Sequence, residues 1–329
     1  MVQGVERLPL EEAPISAVSQ GPGPYAMSFG FNLDPLRESI RTIGMVNPPL
    51  VRECEPGQLI VVAGFRRFLA LKALGRREMA CRVLPGRTFT NLECLLLSFY
   101  DNLGTRVLND VEKGMCLTRL LRWVPEDEVL REYMPLLGLP SHRPTLHLFC
   151  TLDQGLEPEI KEAVAWGRLS LKGLKQILPL TRTDRMTVFS LISELKLNIN
   201  QTNQLIDYLN DLSQKHGESF EQLLGSDSIQ GLFSDPASNR PQKARALLRE
   251  LRSRRLPTLV AAEKAFGKKV ARLPLPQGVS IKAPPYFEGP DYRLEILFRQ
   301  GRDLREKVER LARMSELGTL AEPGQQGRS

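Results

Sequence analysis

The stretch VVAGFRRFLALKALG, residues Val61–Gly75, decides how the fold is read. Val61, Val62 and Ala63 form a β-rich run, Gly64 breaks it, and Phe68, Leu69, Leu71 and Leu74 then recur at helical spacing up to Gly75. A strand, a glycine and a helix start leave the first backbone N–H groups unpaired and place the positive end of the helix dipole at the turn. Such a turn suits an anion. Arg66 and Arg67 sit there and can add charge-assisted hydrogen bonds. The same two side chains can instead pair with acids and hold this segment against the helices that follow, so the doublet alone leaves both readings open.

Around this turn the chain reads as a small α/β module over residues 25–90. LDPLRESIRTIG predicts a helix burying Leu36, Ile40 and Ile43 and stopped by Gly44. PPLVREC and QLIVVAG predict strands separated by the turn Glu55-Pro56-Gly57, and CRVL predicts a third strand. Residues 1–24, with several Pro and Gly and the run GPGP, read as a flexible tail. From residue 91 to 232 every apolar pattern is helical, with short helices and tight turns that suggest a helix-turn-helix array. Residues 233–257 read as a basic linker helix with Ala244, Leu247, Leu248 and Leu251 on its apolar edge. A last α/β unit spans 258–317, with GVSIK and YRLEILF as strands and Leu294, Ile296 and Phe298 on a face expected to be buried; 318–329 is a tail. The fold class is α+β.

Composition narrows the chemistry. With 42% hydrophobic and 25% charged residues in 329, the chain is an ordinary soluble protein of two or three domains. Arg240–Arg272 holds eleven Lys/Arg and two acids, a net +9 in a chain of net +7, which leaves the remainder at −2. A basic segment on a near-neutral body suggests a polyanion partner, while a solvated helix is the plain alternative. Lys243, Arg245, Arg249, Arg252, Arg254 and Arg255 are the residues expected to neutralise DNA phosphates there. Five dispersed cysteines form no CxxC pair, and His142, His147 and Cys150 lack a fourth ligand, so neither a disulfide framework nor a zinc site is expected. No apolar run is long enough to span a membrane and no signal segment opens the chain, which points to the cytoplasm.

Three boxes in order carry a resemblance. Gly44, Pro48 and Val51 fit G-x-x-x-P-x-x-V; Gly64, Arg66, Arg67 and Ala70 fit G-E-R-R-x-x-A apart from Phe65; Asn102 with Leu108, Asn109 and Glu112 fits E-N-x-x-R followed by L-N-x-x-E. The set resembles the nucleotide boxes of ParB-type partition proteins, whose N-terminal domain is of the ParB/sulfiredoxin-like type. The resemblance implies CTP with Mg2+: Gly44, Pro48, Gly64, Arg66, Arg67 and Asn102 at the nucleotide, and Asp101 with Asn102 at the metal. It also implies a nucleoid-associated homodimer on DNA, with a ParA-like ATPase as a further partner and a role in chromosome or plasmid segregation. Phe65 and Asp101 replace the glutamates of the family pattern, and Thr105 stands where it has arginine, with Arg106 next. Nucleotide binding without turnover, a CTP-hydrolysing switch with a degraded motif, and a nucleotide-independent transcription regulator therefore all remain open. The module is similar to sulfiredoxin too, but Phe65 stands where that enzyme has its cysteine, so no thiolate is available at the turn.

Val129–Leu180 resembles the ParB helix-turn-helix, which implies base contacts from Ser141, His142, Arg143, Thr145 and His147 near the start of the reading helix. Pro135 and Pro144 fit only near a helix start, and Leu146–Cys150 offers few groups that bond to bases.

Overall fold

Four strands build the sheet that supports the double-arginine turn: β1 (Leu10–Pro14), β2 (Leu50–Glu55), β3 (Gln58–Ala63) and β4 (Glu78–Leu84), in the order β1-β4-β2-β3. β2 and β3 pair antiparallel around the Pro56-Gly57 turn, β2 lies parallel to β4, and β1 closes the edge antiparallel to β4. This computed structural model describes residues 8–86 and 88–320, with the Thr319 side chain set aside. α1 (Asp34–Ile43) and α2 (Phe65–Ala73) pack beside the sheet. Val51, Val61, Phe68, Ala70 and Cys81, all at most 2% exposed, form the centre of its core. Burying one such Phe or Val side chain contributes about 1.5–3 kcal/mol, so the alternating strands and the apolar stripe of α2 fix each other.

The tail assignment is corrected for residues 10–24. β1 is paired throughout, Ala13, Ile15 and Val18 are buried, and the Ser19 N–H donates to Leu59 O at 2.8 Å. LEEAP is too short and too polar to announce a strand; it is held because β4 offers it an open edge, where Pro14 needs no ladder donor. Residues 1–7 lie outside the described residues, as do 321–329 of the C-terminal tail.

α3 (Asn91–Thr105) and α4 (Asp110–Leu120) each start with a capping box, Thr90/Glu93 and Asn109/Glu112. A helical run follows as Glu126–Glu128, a π-wound Val129–Tyr133 and Met134–Leu136. Gly138, at φ +69°, turns the chain, and α5 (Arg143–Gln154) packs on α4. Pro144 lies in the first turn of α5, where its missing N–H costs nothing. Pro135 falls in the last short segment of its run instead of in mid-helix. α6 (Pro158–Ala165) also packs against α4.

The chain divides into two compact units after Leu174, inside α7 (Leu171–Ile177), and not at residues 90 and 232. The sheet module and the first helices share one unit because α3 packs on β3. The second unit contains α8 (Arg182–Leu195), α9 (Ile199–His216), α10 (Phe220–Leu224), α11 (Asp227–Ser234), α12 (Arg240–Arg255), α13 (Pro257–Arg272), the antiparallel pair β5 (Val279–Lys282) and β6 (Arg293–Ile296), and α14 (Gly301–Ala312). α12 is not a linker: Ala244, Leu247 and Leu251 are buried, and it packs on α8, α9 and α11. The expected buried face of β6 is also absent within the single chain. Leu294 is 49% exposed and Phe298 53% exposed, because a two-stranded sheet with one helix has too little surface to cover both.

Candidate functional site

Gly64 joins β3 to α2 at φ +86°, so the turn requires glycine on conformational grounds, and a Cβ there would also push aside the flexible end of Arg67, 2.9 Å away at Nε. No side chain caps α2, and the Phe68 N–H is the first to bond back, to Gly64 O at 3.0 Å. The preceding N–H groups are orphan donors at the positive end of the helix. They open on a cleft of about 740 Å³ lined by Asn47, Pro48, Gly64, Phe65, Arg66, Arg67, Ser98, Asp101, Asn102 and Arg106 among others. Gly44 does not line it; at φ +78° it ends α1 and turns the 45–49 loop toward the cleft. Phe65 does not fill the cup. Its ring rests against the sheet core, 6.3 Å from Phe68.

The two arginines diverge. Arg66, read as a phosphate contact, is tied inward: it donates to Glu112 at 2.5 Å, and its guanidinium lies 4.3 Å from the centre of the Phe31 ring. Glu112 is 1% exposed and accepts three more hydrogen bonds, from Arg106 at 2.6 Å and from the N–H groups of Phe29 and Asn109 at 3.1 Å each. Burial lowers the Arg66 pKa, the nearby Arg106 charge lowers it further, and Glu112 opposes both. Arg67 stays at the rim, bonded to Asn47 O at 2.7 Å and only loosely to Asp101 at 3.4 Å. A long, half-buried pair of this kind holds its cation less firmly than the close Arg66–Glu112 contact does.

Asn102, expected at the nucleotide and the metal, is engaged within α3. Its Oδ1 accepts from Arg106 Nε at 2.7 Å and its Nδ2 donates to Ser98 O at 2.7 Å, which leaves one lone pair of the amide oxygen for another partner. The cause is local, since Asn102 and Arg106 are one helical turn apart. Asp101 keeps a carboxylate at the cleft, and among the described residues no group of three or more His, Cys, Asp or Glu could hold a metal. Arg106, passed over as a site residue, lines the cleft and bonds both Asn102 and Glu112. The signal was the Asn102-to-Arg106 spacing together with the buried end of the Asn109/Glu112 capping box. The buried thiols offer no alternative chemistry, for burial pushes Cys81 up to about 11 and Cys116 up to about 12.

The helix expected to read DNA, α5, is only partly free. Ser141, His142, Arg143 and His147 are exposed and Thr145 is half-buried, on a face opposite the buried Leu146, Leu148 and Phe149. Arg143 is drawn to Glu126 at 3.0 Å and Asp127 at 2.9 Å.

The basic helix is mostly engaged, for four of the six cations expected at phosphates have partners within the chain. Lys243 donates to Phe233 O at 2.5 Å, Arg252 forms a two-pronged pair with Glu263 at 2.7 Å, and Arg254 bonds Glu250 at 3.0 Å. Arg255 pairs with Asp211 and lies over Tyr208. Arg245 and Arg249 stay exposed with no partner among the described residues.

Comparison with known proteins gives the following. Residues 5–100 match the family model described as the ParB N-terminal domain. The chromosome-partitioning protein Spo0J of Thermus thermophilus is 30% identical over 208 residues, 63% of this chain and 71% of that protein. The nucleoid occlusion protein of Geobacillus thermodenitrificans is 32% identical over 83 residues, 25% of this chain; the match spans only 28% of that protein's length. The C-terminally truncated ParB of Caulobacter crescentus has been solved with CTP-gamma-S (21% identity, TM-score 0.26, 55% of this chain, 92% of that one). It has also been solved with the centromeric parS site (20% identity, TM-score 0.33, 60% and 98%).

Proposed function

Because this chain belongs to the ParB-type family of partition proteins, we propose that it is a DNA-bound clamp or adaptor in chromosome or plasmid segregation whose N-terminal cleft takes CTP. The observation that carries the nucleotide is the left-handed Gly64 opening uncapped α2 onto the cleft, with Arg67 at its rim. In this reading the α2 N–H groups and Arg67 hold phosphate oxygens, while Arg66 and Arg106 shape the wall through Glu112. Among the described residues that line the cleft, Asp101 is the carboxylate that suits Mg2+, so phosphates and water supply the ion's remaining ligands. DNA is met by the exposed side chains of Ser141, His142, Arg143 and His147 on the first turns of α5. The uncovered apolar residues of the β5–β6 unit, Leu294, Leu297 and Phe298, are covered by a second copy in a homodimer. A ParA-like ATPase is the partner in the segregation cycle.

Titration calorimetry with CTP, ATP and GTP in Mg2+ tests this reading. Heat with CTP that disappears in Arg67→Ala supports it, and heat with none of the three removes the clamp. A second reading is a nucleotide-independent ParB-like regulator, favoured by the Arg66 pair with Glu112, which holds one nitrogen of that guanidinium on a buried carboxylate without ligand. DNA retention that is sequence-selective and indifferent to nucleotide supports it. A CTP-hydrolysing switch has less support, since Phe65 removes a carboxylate from the turn; phosphate release with CTP, Mg2+ and DNA decides it.

A further inference from the structure

The second unit holds a cavity that the nucleotide reading does not use. A groove of about 670 Å³ runs between α9 and α12, with Gln201, Gln204 and Tyr208 on one wall and Gln242, Arg245, Leu248, Arg249 and Arg252 on the other. The two helices run in the same direction, because Gln201 and Gln242 share the groove near both helix starts while Asp211 meets Arg255 near both ends. The lining contains three arginines and no carboxylate. Glu263 neutralises Arg252, the acids Glu250 and Asp211 are taken by Arg254 and Arg255, and Arg245 and Arg249 carry their charge unopposed among the described residues. These two lie one helical turn apart, about 6 Å along the axis, so both can reach one stretch of a phosphodiester backbone. Gln201 and Gln242 each use their amide oxygen in a capping box, so what each keeps for the groove is its N–H2 donor. Donors therefore outnumber acceptors in the lining, three arginines being donors only, and Leu248 adds an apolar strip for a sugar edge.

We propose that the α9–α12 groove is a second nucleic-acid contact, which takes a phosphodiester backbone through Arg245 and Arg249 without reading bases. The charge complementarity selects a polyanion, and the excess of donors over acceptors selects phosphate over base edges, which present both donors and acceptors. This inference rests on the DNA-binding reading above and narrows it to a surface separate from the start of α5.

The test uses the full chain and two labelled duplexes of unrelated sequence, with anisotropy measured across a salt series. The double variant Arg245→Gln with Arg249→Gln is expected to weaken both duplexes alike and to make the slope of log K against log salt shallower by about 2, one for each phosphate no longer neutralised. Its CTP heat should match that of the parent. An unchanged slope with the parent still binding overturns the groove and leaves the DNA reading standing, whereas no binding by the parent overturns both. Polyglutamate that competes as well as duplex for the parent and not for the variant assigns the groove to an acidic protein instead, and also overturns it.

Discussion

Two sets of arginines occupy this chain under opposite conditions. In the N-terminal cleft Arg66 and Arg106 converge on one buried carboxylate, Glu112, and use their charge to hold the Phe29–Phe31 segment, α2 and α4 together. In the second unit Arg245 and Arg249 stand on an exposed helix face, unpaired with any acid among the described residues. The doublet Arg66-Arg67 is the more conspicuous in sequence, yet Arg66 is paired with a buried acid, while Arg245 and Arg249, two of the six cations expected on the basic helix, have no acid partner among the described residues. Burial decides the difference. A guanidinium removed from water must find a counter-charge or carry a desolvation cost of several kcal/mol, whereas an exposed one is free to wait for a ligand.

The comparison breaks most readily at its buried centre. Glu112→Ala strands Arg66 and Arg106 without their carboxylate and is expected to cost about 3–5 kcal/mol of unfolding free energy, read from urea denaturation. A loss below about 1 kcal/mol would mean that water already reaches the pair. Next in size is Gly64→Ala, which forces a Cβ into a left-handed position beside Arg67. About 1–2 kcal/mol of stability should go, with loss of the CTP heat, and retained heat would show that the turn does not hold the nucleotide. Asn239→Ala removes the cap of α12 and should cost about 1 kcal/mol by thermal melting, sharpening the view that this helix is part of a packed unit. The smallest pair of effects separates tied from free cations: Arg252→Ala should cost about 0.2–1 kcal/mol through its half-exposed bond to Glu263, and Arg249→Ala should leave the melting temperature within error. If the two behaved alike, the distinction between engaged and available arginines on α12 would disappear.

Much of this fold is local in origin. The strand–glycine–helix turn, the helices at 34–43 and 65–73, the three strands around them and the α/β character of the C-terminal end all follow from side-chain period and from glycine at a position that demands positive φ. The ordered boxes are enough to point to the family. What the chain could not announce were the features that exist only between distant segments. β1 is a strand because β4 has a free edge, α12 is a packed helix because α8, α9 and α11 cover its stripe, and Asn102 bonds Arg106, which the buried Glu112 of α4 holds in place. Sequence sets conformational preference, which acts over a few residues through sterics and hydrogen-bond period. Which charge is neutralised and which remains for a partner depends on distances and desolvation across the fold, and tertiary structure alone decides those.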